Sequence, residues 1–304
     1  MAIISTGNIP KLLYPGLNTI WGNSHKELSK QYPDLFDSFN SSRAFEEDVG
    51  MTGYGMAAVK EQGNSISYDE TKQTYVTRYT PVVYASGFIL TMETMENNLY
   101  KQAGIRGAKE LAYSVNQALE NVGANVYNRA FNTSYTFGDG KELIVSTHPT
   151  EAGNQSNVLT TAADLSEASL ESMVIQIMKT KGPRGLNINV KPKSLHIHPD
   201  NVFVAARILK SALQNDTANN AVNALKSMGM FSGGAKVNNY FTDADAWFVR
   251  TDIQSDYGMK MYMRKAPQFL SDNDSDTLNA KFMAYVWCSF GNTDWRAIFG
   301  TPGA

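Results

Sequence analysis

The most regular alternation of apolar and polar positions lies between residues 96 and 131. Ala108, Leu111, Ala112, Val115, Leu119, Val122, Val126 and Ala130 recur at steps of one, three and four. That spacing lines one side of an α-helix. It predicts a rod about 54 Å long at 1.5 Å per residue, against ~11–12 residues for an average helix. Gly104, Gly107 and Gly123 each weaken a helix by about 1 kcal/mol relative to Ala and mark expected bends.

A second helical stripe, Leu170, Met173, Val174, Ile177 and Met178, follows Asp164, read as an N-cap with Glu167 three residues on. Gly182-Pro183 is expected to stop it. A third helix is expected from Asp200, with Val202, Ala205, Ala206, Leu209 and Leu213 on one face. Period-two or β-branched runs predict strands at Ile188 and Val190, at Leu195 and Ile197, over Ala246–Val249, and over 259–264 and 278–300. Strands and helices mixed between 160 and 255 read as an α/β lobe.

Two regions lack a local core. Residues 1–48 read as an extended arm, because Pro10, Pro15, Gly16 and Gly22 interrupt any long helix. Their apolar anchors include Leu12, Leu13, Leu17, Ile20, Trp21, Leu35 and Phe36. Residues 50–90 read as a long hairpin punctuated by Gly53, Gly55 and Gly63-Asn64. Thr74–Thr80 is rich in β-branched and aromatic residues, and Pro81 favours an edge. A lone two-stranded hairpin is marginal in water, so either its own body or another chain must cover it.

Composition sharpens this picture. The 304 residues are 42% apolar, enough for a sizeable core. Only 18% are charged, so copies of the chain repel one another weakly. Net charge is −2, with no basic run, which argues against phosphate-driven nucleic-acid binding. No segment approaches the roughly 18 apolar residues of a membrane span, and no secretory signal is expected at the N-terminus.

Candidate chemistry is thin. The single cysteine, Cys288, sits in an apolar run and reads as a buried thiol. His196 and His198 alternate along a strand, but zinc needs more ligands than this pair. There is no Gly-x-Ser-x-Gly elbow and no phosphate-binding Gly-rich loop. Asp272–Asp276 imitates a calcium loop without its Gly or distal Glu. Ser232-Gly233-Gly234 reads as a mobile loop tip. Tyr75, Tyr79 and Tyr84 have only Arg78 interleaved among them, so sheet packing explains them better than base stacking. No catalytic residue, metal or cofactor is expected.

The order of these parts resembles the major capsid proteins of tailed phages, the Hong Kong 97-type shell fold. Val59–Glu70 looks like that family's extended loop, and the helix after Met92-Glu93 like its spine helix. Phe137–Lys141 followed by Thr147-His148-Pro149 is similar to a segment of Mu-like head proteins. Ser194–Pro199, Asp243–Phe248 and Asn292–Gly300 also fit. The likeness covers most of the chain and rests on the succession of segments.

The resemblance implies an α+β fold with an N-arm (1–48), an extended loop (49–90), a peripheral domain with a spine helix (91–159), an axial α/β domain (160–255) and a peripheral return (256–304). It implies a non-enzymatic shell subunit forming hexamers and pentamers of an icosahedral head. The expected inter-subunit contacts are Leu12, Leu13, Trp21, Lys60, Glu61, Tyr68, Tyr75, Arg78 and Tyr79. Scaffolding and portal proteins are implied partners, with a decoration protein as a further one. Double-stranded DNA would be enclosed without sequence-specific binding. The location would be the virion, after assembly in the bacterial cytoplasm. A fused scaffolding region is not expected, which implies a separate scaffolding protein, and no partner site for a Lys60 or Lys72 cross-link is recognisable. An encapsulin-like compartment holding an enzyme cargo shares the fold and is the alternative. A small-molecule enzyme using residues 160–255 is a third reading.

Overall fold

The computed structural model describes residues 10–91, 93–94, 100–213, 222–253, 255–274 and 279–304, with side chains from 16 onward except 100–101. The long amphipathic stripe folds as one helix over Tyr100–Asn128, about 43 Å of rod. It is shorter than expected because 129–131 turn away and 96–99 lie outside the described residues. Ala108, Leu111, Ala112, Val115 and Leu119 are buried. The helix runs without a break through all three glycines. A Cβ on Gly107 would lie 2.9 Å from the Phe88 ring, so this glycine admits a close approach of the neighbouring sheet.

The arm corrects one expectation. Pro10–Glu27 forms a continuous 18-residue helix, α1, through Pro15, Gly16 and Gly22. Leu17 and Trp21 are buried on the body, and this tertiary packing outweighs the local propensity penalties. A short helix, α2 (Tyr32–Leu35), and strand β1 (Asp37–Asn40) follow. The long helix is α3. Its buried Glu120 accepts bonds from the backbone N–H groups of Gln31 (2.8 Å) and Tyr32 (2.9 Å). A buried carboxylate needs such donors. Burial still pushes its pKa above the ordinary carboxylate value.

Three sheets organise the described residues. Strands β2 (Glu46–Met51) and β3 (Gln73–Tyr79) form a two-stranded antiparallel ribbon. Strands β4 (Val82–Leu90), β8 (Met259–Asn273) and β9 (Ala280–Asn292) join β1 in the order β1-β8-β9-β4. This sheet packs on α3 and α1, and Phe282, Ala284, Val286 and Cys288 alternate into the core between them. Val82–Leu90, grouped with the hairpin in the sequence reading, therefore belongs to the body: it pairs with β9 along its whole length. Pro81 lies between ribbon and sheet.

The second core lies around β5 (Pro192–Ile197), β6 (Ala235–Val237), β7 (Trp247–Thr251) and β10 (Ile298–Thr301), ordered β10-β7-β5-β6. Helices α4 (Glu167–Met178), α5 (Val202–Lys210) and α6 (Ala224–Ser227) accompany it. Ser166, not Asp164, caps α4: its hydroxyl accepts from the Ser169 N–H, and Ser169 answers at the Ser166 N–H. Met178 is exposed, so the stripe ends at Ile177. Ile188 and Val190 are outside any strand, and Leu213 lies beyond α5 in an isolated bridge to Val222. Most of the Asn-rich stretch from 215 lies outside the described residues. Residues 298–301 were expected in the peripheral return. They pair with β7 instead, because Phe299 and Trp295 complete the second core.

Candidate inter-subunit surface

The ribbon is fastened firmly at its root. Asp48 on β2 accepts from Lys260 Nζ at 2.6 Å and from Thr293 Oγ1 at 2.7 Å. Tyr79 on β3 bonds the same Thr293 hydroxyl at 2.7 Å and meets Tyr262 edge-on at 5.0 Å. Lys260 is 3% exposed, and this carboxylate is the anion paired with its buried ammonium. Burial pushes the Tyr79 hydroxyl well above its ordinary pKa.

Further out, a second set of ties holds the loop that joins the two strands. Asp69 accepts from the Gly55 N–H at 2.6 Å and pairs with Arg184. Arg184 also reaches Glu151 at 3.3 Å, and Lys72 lies 3.2 Å from Glu70. The Arg184 bond, then the Gly55 N–H, hold the Asp69 carboxyl down at about 2.

Beyond these ties the loop has no cover. Residues 56–70 are all exposed. Among them are Met56 (85%), Val59 (95%), Ile66 (61%) and Tyr68 (92%). Between Gly53 and Thr71 the described backbone makes one internal bond, Asn64 N–H to the Glu61 carbonyl. Two limbs without ladder bonds, carrying exposed apolar side chains, leave both backbone and side-chain surface for another chain. The subunit's accessible surface is 17169 Å². A compact monomer of this mass exposes ~12,700 Å², so this chain buries itself incompletely.

The expected contact residues separate into distinct groups. Lys60, Glu61 and Tyr68 lie on the uncovered loop, and Arg78 is exposed on the ribbon, 3.7 Å above the Phe45 ring. Tyr75 is half-buried on β3 against the Phe137–Asp139 turn. Burial, then the nearby Asp294, raise its hydroxyl pKa. Tyr79 faces inward and is spent within its own copy. Trp21 is likewise spent: it stacks on His25 (5.3 Å) and Phe269 (6.0 Å) and is 6% exposed. The indole therefore packs within its own copy. The side chains of Leu12 and Leu13 lie outside the described residues. Met56, Val59 and Ile66 lie in the extended-loop region but were not singled out as contacts; they are the exposed apolar side chains of that loop.

Other chemical candidates resolve into structure. His196 is fully buried, with Nε2 2.8 Å from Ser194 Oγ. Burial, then Arg250 and Lys236, bring its pKa down to about 3. His198 instead caps the turn at Pro199–Asn201, so the two rings form no joint site. Ser275 and Asp276 cannot be placed beside Asp272, because 275–278 lie outside the described residues. No group of three or more potential metal ligands occurs among the described residues. The Gly233-Gly234 segment is bonded to β5, with Gly233 N–H to the Lys193 carbonyl at 2.8 Å, and is not a free tip. No described helix is long and apolar enough to cross a membrane.

Comparison with known proteins adds an independent line. A family model described as phage capsid protein matches residues 74–300. No curated protein matches the sequence. Among solved structures, the chain resembles a virus-like particle protein from Pyrococcus furiosus at a TM-score of 0.53 and 8% identity, covering 95% of this chain and 99% of that one. The procapsid protein of bacteriophage JBD30 gives 0.53 and 11%, covering 98% and 76%. The Microbacterium phage Oxtober96 protein gives 0.51 and 9%, covering 91% and 92%. At these identities the likeness establishes the fold: this is the Hong Kong 97-type architecture.

Proposed function

We propose that this chain, which belongs to the phage capsid protein family, closes an icosahedral head by laying its uncovered loop on an adjacent copy. As a capsid subunit it is a structural component of a virion and works as one of many identical copies. In this reading the copies form hexamers and pentamers, because repetition of one interface permits closure. Scaffolding and portal proteins would assist assembly. The head would enclose double-stranded DNA held by volume and not by base recognition, consistent with the net charge of −2.

One observation carries the proposal: residues 56–70 expose Met56, Val59, Ile66 and Tyr68 with almost no internal backbone bonding. The test is deletion of residues 56–67, replaced by two glycines. This spares the Gly55–Asp69 tie. Electron microscopy of the expressed variant should show soluble subunits or open sheets and no closed shells. Closed shells of normal size would end the proposal.

The similarity to the Pyrococcus furiosus particle favours a second reading, an encapsulin-like compartment with a protein cargo. Particles from infected cells that protect double-stranded DNA from nuclease support the phage head. Particles that copurify with an enzyme and no DNA support the compartment.

A further inference from the structure

Beside the second core, the segment 155–163 and helix α4 enclose an open groove of 810 Å³. Leu159, Ala163, Ala168 and Ile175 give it an apolar floor, and Lys179 and Lys181 stand at one end. Ile175 is 52% exposed on α4 and lines the groove. Neither lysine side chain has an ionic partner among the described residues. The uncovered loop offers the opposite features. Val59, Ile66 and Tyr68 are apolar and exposed. Glu61 has no cation within reach among the described residues and bonds only Asn64, at 3.3 Å. Within one copy the loop does not fill the groove, since residues 56–70 are all exposed.

We infer that the α4 groove of one copy receives the 59–68 segment of the next, with Glu61 set against Lys179 and Lys181. The inference rests on the shell reading above and names the receiving surface. The physical basis is reciprocal: an apolar limb leaves water for an apolar floor. The unmatched anion and cations meet at the rim, where charge fixes register more than it adds affinity. The hydroxyl-rich groove wall supplies partners for limb backbone that lacks ladder bonds.

Cysteine cross-linking tests this cleanly. The chain has one cysteine. It is 1% exposed, and burial pushes its pKa up to about 12, so it contributes no background. Assembled particles of the double variant Ser65→Cys/Ser172→Cys are treated with oxidant or a short bis-maleimide. The expected result is a ladder of cross-linked multimers on a denaturing gel. Single variants and the Ser65→Cys/Ser227→Cys control should stay monomeric. Normal particles of the double variant that yield only monomer overturn the groove assignment and leave the shell reading intact. Wild-type protein that never forms particles overturns the shell reading itself. If the cysteines block assembly, charge reversal decides. Lys179→Glu/Lys181→Glu should cut the yield of closed particles several-fold, and adding Glu61→Lys should restore most of it. Absence of restoration overturns the inference.

Discussion

Removing the Asp48 carboxylate tests how the projecting ribbon is held. In Asp48→Ala, Lys260 Nζ loses its partner at 2.6 Å and Thr293 loses an acceptor at 2.7 Å. The Lys260 side chain is 4% exposed, whereas that of Asp48 is 20% exposed. Breaking a buried pair by deleting one partner costs about 3–5 kcal/mol. Partial solvent access to Asp48 places the expected loss near the lower end, about 3 kcal/mol. Lys260→Met should cost less, about 1–2 kcal/mol, because the remaining carboxylate is partly solvated and keeps the Thr293 hydroxyl. The double variant removes both charges, so it should be more stable than Asp48→Ala alone by at least ~1 kcal/mol. Urea unfolding of the unassembled subunit, followed by tryptophan fluorescence, measures all three. A double variant whose loss equals the sum of the single losses would refute the reasoning, since the charges would then be uncoupled.

The same structure fixes the sign of two glycine substitutions and the pH response of one loop tie. Gly104→Ala should stabilise α3 by up to about 1 kcal/mol, because the added Cβ meets Leu17 at an ordinary 3.5 Å. Gly107→Ala should destabilise by about 1–3 kcal/mol through overpacking, because its Cβ would lie 2.9 Å from Phe88; thermal melting separates the pair by sign. The Asp69 carboxyl is held down at about 2, below an unfolded value of ~3.9. Its contribution is therefore complete above pH ~4 and is lost as pH falls toward 2. Hydrogen exchange at the Gly55 amide, corrected for intrinsic rates, should stay slow at pH 5 and speed up below pH 3. Arg184→Gln should move that transition upward.

Legibility in the sequence followed the range of the interactions. The α3 stripe was plain because one helix face is buried over seven turns, so its period is written into the residues themselves. β3 was legible for a similar local reason, the run Thr74–Thr80. The arm helix was misread because Pro15, Gly16 and Gly22 are local penalties, whereas Leu17 and Trp21 gain their burial from α3 and Phe269, far away in sequence. The membership of β10 was hidden for the same reason: nothing in Ile298–Thr301 names Trp247–Arg250 as its partner. At the candidate surface, Lys60, Glu61 and Tyr68 were reached through the resemblance of Val59–Glu70 to an extended-loop segment, not through any local period. Tyr79 and Trp21 were assigned outward because an aromatic side chain reads alike whether its own body or another chain covers it. The α4 groove had no sequence signal, since its two walls meet only in three dimensions.

The crossing of β10 into the second sheet also sets an order of events during synthesis. Ile298–Thr301 emerge roughly 100 residues after Pro192–Ile197, and β8 and β9 are made in between. At ~5–20 residues per second, translation leaves that sheet unfinished for about 5–20 s. During this interval Trp247 and Val249 wait for Phe299 and Trp295 to seal them. A nascent chain therefore carries an unsealed second core until Ile298–Thr301 is made.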